Sequence, residues 1–360
     1  MGPGPSDVPQ RILDAMARPT IGHLDPAFTD MMEQTKTLLR YAFQTDNKLT
    51  FPVSGPGSVG METCFVNLVE PGDKVIVCSN GVFGGRMLEN VKRSGGVAVV
   101  VEDAWGRAVD PNKVEAAFQA NRDAKILAFV HAETSTGAQS DAAALAAVAR
   151  KRGALVLMDC VTSLGGTPVL IDQWGIDAAY SGSQKCLSCT PGLSPVTFSE
   201  AALAKVKARK TPVQSWFMDL NLVLGYWSGE GRRTYHHTAP INPLYGLHEA
   251  LVMLAEEGLE GAWARHRQMH ELLKSGIEGL GLSFLVPESE RLPQLNAVAL
   301  SEGIDDAATR ARLLNEFNLE IGAGLGVLAG KIWRIGLMGA SASRNNVDFC
   351  LRVLATVLGR

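Results

Sequence analysis

Short apolar runs rich in β-branched residues alternate with helix-length amphipathic stretches through the first two thirds of the chain. No other feature constrains the fold as much. The runs fall at residues 74–78, 97–101, 126–130 and 155–158, then at 178–181 and 196–198. Helical patterns occupy 59–69, 86–94, 111–119 and 142–151 between them. Strands that are apolar on both faces need cover on both, so the pattern predicts an α/β fold with a mainly parallel sheet between helices. After Tyr235 the texture changes. A long helical pattern runs from Leu244 to about Leu280, with Gly258 and Gly261 as its expected bend. Strand candidates follow at 282–285, 297–300 and 333–336, with helices at 307–317 and 344–358. A chain of 360 residues is long for one core. The expected division is a large domain at 1–257 and a smaller α+β domain at 258–360.

Composition narrows the function. The net charge of −3 and the scattered Lys and Arg give no electrostatic footprint for nucleic acid or an anionic membrane. No apolar run reaches the length of a membrane span. The N-terminus, MGPGPSDVPQ, has neither the basic nor the apolar part of a secretory signal, and the C-terminal Leu-Gly-Arg is not a peroxisomal tripeptide. Six cysteines stand at 64, 78, 160, 186, 189 and 350. Cys186 and Cys189 form a CxxC pair, but no second pair or His cluster accompanies it. Reduced thiols in a cytoplasmic enzyme are therefore expected in preference to a zinc site or redox pair, and no metal is expected.

Four features can carry chemistry. Ser181-Gly182-Ser183-Gln184-Lys185 follows a strand directly. A lysine at such a junction, desolvated among small residues, becomes a nucleophilic amine, whereas a lone lysine is ordinarily a solvated surface charge. Asp159 closes the apolar run at 155–158 and so faces the rim where α/β sheets bind ligands. It could hold a protonated ring nitrogen, or simply order a loop as a cap. Ser54-Gly55-Pro56-Gly57-Ser58-Val59-Gly60 precedes a helix and offers N–H groups to a phosphate. It matches neither the P-loop nor GxGxxG, and a plain Gly-Pro turn is the alternative. Arg334 lies inside a strand of the second domain, where burial requires an anion: a substrate carboxylate or a protein one.

Together these stretches resemble the class V aminotransferases of fold type I, most closely the alanine–glyoxylate and serine–glyoxylate (serine–pyruvate) branch. The resemblance covers the whole chain. It also takes in Gly2-Pro3-Gly4-Pro5, Ile21-Gly22-His23-Leu24-Asp25, Asn80-Gly81-Val82-Phe83-Gly84, the stretch from His131 to Gly137, Tyr235-His236-His237-Thr238 and Arg334-Ile335-Gly336. It implies a pyridoxal 5'-phosphate enzyme in which Lys185 forms the Schiff base and Asp159 partners the pyridine nitrogen. Phe83 would stack on the ring, Thr134 would place a hydroxyl near it, and Gly57, Ser58 and Gln184 would serve the phosphate. Tyr235 and Thr238 would reach the cofactor phosphate of the neighbouring subunit, which implies a homodimer with shared sites. Arg334, helped by the Gly4 loop, would bind the substrate carboxylate.

The expected activity is ping-pong transamination between alanine or serine and glyoxylate or pyruvate. The ureidoglycine–glyoxylate relatives carry Gln and Asn where this chain has His23 and Tyr235, which weighs against ureidoglycine as donor. A desulfurase or related lyase would need a mobile loop cysteine, and a non-catalytic binding protein would have no use for Lys185, Asp159 and Arg334 together. A nucleotide-binding protein would need the missing P-loop lysine.

Overall fold

Seven strands build the large sheet of the computed structural model, which describes residues 1–227 and 233–360. They are β1 (Leu49–Ser54), β2 (Lys74–Ser79), β3 (Val97–Glu102), β4 (Ile126–Val130), β5 (Leu155–Asp159), β6 (Ala178–Tyr180) and β7 (Leu193–Phe198). Their order is β1-β7-β6-β5-β4-β2-β3. Only β7 runs antiparallel to its neighbours, so the carboxyl ends of the other six share one edge. β4 is buried along its whole length, which is why its sequence shows no polar alternation. Connections leave β2 toward β3 on one side and return to β4 on the other. That reversal opens a crevice at the carboxyl edge.

β1 lies outside the apolar runs read from the sequence, and it contains Pro52, a residue usually excluded from strand interiors. The register explains its tolerance. Pro52 faces Pro195, whose carbonyl accepts from Ser181 N at 2.8 Å and so points toward β6. The opposed pair is therefore a non-hydrogen-bonded one, and the missing N–H of Pro52 would have pointed off the sheet edge.

The long helical pattern is two helices, Ile241–Glu257 and Leu259–Gly279. Gly258 separates them at φ +77°, in the left-handed region that suits glycine. The expectation of a bend at Gly261 is corrected: it lies inside the second helix, with room around it. One hydrophobic core runs from Ile12 to Ala262 and a second from Met269 to Leu354. The second is built on an antiparallel sheet of β8 (Ser283–Phe284), β9 (Leu295–Ala299), β10 (Gly322–Ala323) and β11 (Ile332–Gly336), in the order β8-β9-β11-β10. Trp333 and Ile335 of β11 pack there with Leu273, Val347 and Leu354. We take Gly258 as the boundary between domains 1–257 and 258–360. The division is not sharp: Leu259, Ala262 and Trp263 pack with the first core, and Met1 packs against the second.

Candidate active site

A cavity of about 200 Å³ opens at the crevice, lined by Gly57, Ser58, Phe83, Thr134, Asp159, Gln184 and Lys185 among others. They come from five separate stretches of chain at the carboxyl edge, so the sheet, rather than any local motif, brings them together.

Asp159 ends β5 and is 2 % exposed. Its Oδ1 accepts from Val161 N at 2.8 Å and its Oδ2 from the Tyr180 hydroxyl at 2.7 Å. Burial pushes its pKa up to about 7 against those two bonds. A carboxylate in that condition is suited to a cationic partner, which would return it to its ionised form. Tyr180 was not singled out from the sequence. It stands opposite Asp159 in the β5–β6 register, a relation visible only once the strands are paired.

Lys185 lies past the end of β6. The N-terminal segment fixes it: Ser6 N donates to Gln184 O at 2.9 Å and Ser6 Oγ to Lys185 O at 2.7 Å. Its Nζ donates to Pro3 O at 2.5 Å. Gly4 sits against the same side chain at φ +99°, where a Cβ would collide with Lys185. Burial lowers the amine pKa to about 8, with Cys186 opposing and Arg334 adding to the shift. Cys186 itself is buried, donates to Thr162 O at 3.2 Å, and has its thiol pushed up to about 12 by burial. It is not an accessible sulfur nucleophile.

Gly57 and Ser58 open the helix Gly57–Leu68 and line the cavity, and the helix start has no side-chain cap to satisfy its first N–H groups. Gly57 is packed so closely that a Cβ would press on Val161 at 3.3 Å. Gln184 Oε1 is buried without a protein partner, an open hydrogen-bonding position on this wall. Phe83 flanks the cavity with the Arg86 guanidinium 4.8 Å from its ring centroid. Thr134 Oγ1 pairs with Thr162 Oγ1 at 2.5 Å.

Arg334, on β11, is 8 % exposed. Its Nε donates to Ala323 O at 2.7 Å and its Nη1 to Thr134 O at 3.2 Å. Both partners are carbonyls, so no carboxylate is hydrogen-bonded to the guanidinium among the described residues; burial lowers its pKa and Glu133 opposes the shift. Neither Arg334 nor Gly4 lines the cavity itself; Arg334 reaches it through Thr134, and Gly4 through Lys185. Tyr235 and Thr238 are not brought to the cavity of their own chain. Tyr235 is 61 % exposed, its hydroxyl 3.3 Å from Thr238 Oγ1 and its ring 5.2 Å from that of His23.

A desolvated amine, a buried carboxylate and a helix N-terminus around one small cavity define an enzyme of amine–carbonyl chemistry. The chain belongs to the class V aminotransferase family, whose model, described as "Aminotransferase class-V", matches residues 2–348. It is 39 % identical to an alanine–glyoxylate aminotransferase of Drosophila melanogaster, over 98 % of this chain and 90 % of that one. It is 38 % identical to the (S)-ureidoglycine–glyoxylate transaminase of Bacillus subtilis (strain 168), over 100 % and 90 %. Among solved structures, an alanine–glyoxylate aminotransferase from Nostoc sp. superposes with a TM-score of 0.97 at 46 % identity, covering 99 % of this chain and 94 % of that one. The fold is fold type I, and the activity is aminotransfer.

Proposed function

We propose that this aminotransferase uses pyridoxal 5'-phosphate to move the amino group of alanine or serine to glyoxylate or pyruvate by a ping-pong mechanism. The observation that carries the reading is the meeting of Lys185, Asp159 and the Gly57–Ser58 helix start at one cavity, with Arg334 anchored beside it by carbonyls alone.

The residues fit that cofactor. Asp159 would hold the pyridine nitrogen, Phe83 would stack on the ring, and Gly57, Ser58 and Gln184 would bind the phosphate. Thr134 would contact the ring side, and Lys185 would carry the aldehyde carbon. Bound there, the cofactor would supply an electron sink for negative charge at the substrate Cα. Lys185 Nζ, its pKa already depressed, takes the proton from the substrate Cα and later gives one back. Arg334 grips the substrate carboxylate and so orients the Cα–H bond toward Lys185. The Gly4 loop closes over the lysine and limits the donor to a small side chain.

The reading includes a homodimer in which Tyr235 and Thr238 complete the partner's phosphate site; the exposure of both supports this. It also includes a cytoplasmic location, supported by six free cysteines. A panel of donors (alanine, serine, ureidoglycine, cysteine) against glyoxylate and pyruvate tests the assignment. Alanine or serine with glyoxylate should give the highest kcat/KM. Preference for ureidoglycine, or sulfide release from cysteine, would overturn it.

Two further outcomes follow from the geometry. Because only the neutral amine attacks an aldehyde, cofactor capture by the apoprotein should accelerate as pH rises through about 8 and level off above it. Stopped-flow absorbance across pH 6 to 11 would read this, and a midpoint above 10 would place the lysine in solvent instead. Arg334→Lys keeps a positive charge but loses the planar fork. It should raise KM for alanine about 10- to 100-fold with a smaller change in kcat, as expected for one lost charge-assisted pair.

A further inference from the structure

Glu133 has no part in the chemistry above, yet its side chain is wholly buried beside the cavity. It belongs to a two-stranded ribbon, Ala132–Glu133 with Ala138–Gln139, that follows β4. Across from it begins the helix Val82–Arg93, which carries Phe83 as its second residue. The N-cap of that helix is Gly81, which has no side chain with which to satisfy the first-turn N–H groups.

The caps come from the ribbon. Val82 N donates to Ser135 Oγ at 3.0 Å, and Phe83 N donates to Glu133 Oε2 at 3.2 Å. Glu133 Oε1 accepts from Ser135 N at 3.1 Å and from Ser135 Oγ at 2.5 Å. Gly81 leaves the space for this, since a Cβ there would collide with both Glu133 and Ser135. A buried carboxyl group thus meets the positive end of a helix dipole, where burial raises its pKa against the hydrogen bonds from Ser135 and Phe83. The next residue along the ribbon, Thr134, supplies the carbonyl that holds Arg334.

We infer that Glu133 is a positioning residue: by capping the Phe83 helix from across the cavity wall, it fixes the plane of the Phe83 ring against the bound cofactor. The inference rests on the reading that Phe83 stacks on pyridoxal 5'-phosphate. Both carboxylate oxygens accept from N–H donors, so glutamine at this position must turn an NH₂ toward at least one backbone N–H, whichever way the amide is set. The helix start then shifts and the ring tilts.

Titration of the apoproteins with pyridoxal 5'-phosphate, followed by absorbance of the lysine-bound cofactor, tests this as a double-mutant cycle. Glu133→Gln should match the unmodified apoprotein in far-ultraviolet circular dichroism but bind the cofactor about tenfold more weakly. Phe83→Ala should also bind more weakly, and adding Glu133→Gln to it should cause no further loss. Full additivity of the two losses, or unchanged binding by Glu133→Gln, would overturn the inference. If Glu133→Gln does not fold, Ser135→Ala removes one arm of the cap and is judged by the same criteria. Failure of the unmodified protein to take up the cofactor would overturn the functional reading as well, which separates the two.

Discussion

Lys185→Ala is expected to abolish transamination, lowering kcat by about 10⁴-fold or more, because it removes both the covalent anchor and the proton carrier. Among the described residues no other lysine lines the cavity, so no second amine stands ready to take its place. The fold should survive. Lys185 is tethered through its backbone carbonyl to Ser6, and the variant relieves the desolvation of an ammonium group. Single-turnover formation of pyruvate from alanine at high protein concentration is the sensitive assay, with loss of the visible band of lysine-bound cofactor as its companion. A variant retaining a few per cent of the rate would remove Lys185 from the mechanism.

Asp159→Asn should have the second largest effect. The amide can still accept from Val161 N, and the Tyr180 hydroxyl can rotate to accept from it, so the local structure is retained while the charge is lost. Removing one partner of a buried charge pair is worth about 3–5 kcal/mol, or roughly 10²- to 10³-fold and more in rate. The loss should fall on kcat, since the ring nitrogen matters only when negative charge develops at the substrate Cα. KM for alanine, set by Arg334, should change little. Steady-state kinetics separates the two, and a kcat within tenfold of the parent would show that Asp159 orders the loop and no more.

What could be read from the sequence depended on whether a signal was local. The run ended by Asp159 and the Ser181–Lys185 stretch were legible because a charged residue closes or follows an apolar strand. The helix carrying Phe83 was expected to start at Arg86, yet it starts at Val82. Its glycine pair, Gly84-Gly85, resembles a loop, and its cap is supplied by Glu133, 50 positions away. The bond from Lys185 to Pro3 spans 182 positions, and the Tyr180–Asp159 contact depends on strand register. No periodicity encodes such relations. β1, which lies outside the runs read from the sequence, carries Pro52, a residue tolerated in strands chiefly at an edge such as this one. Tyr235 and Thr238 are the reverse case: their motif is legible, but their proposed place lies in a second copy of the chain.

The most direct test of the central claim is a half-reaction. The protein, reconstituted with pyridoxal 5'-phosphate and freed of excess, is mixed with alanine without any oxo acid, and then with glyoxylate. Bleaching of the visible band with release of one pyruvate per site, followed by its return and one glycine per site, is the expected result. Continued pyruvate release without an acceptor, or a band that alanine and serine leave unchanged, would contradict the account.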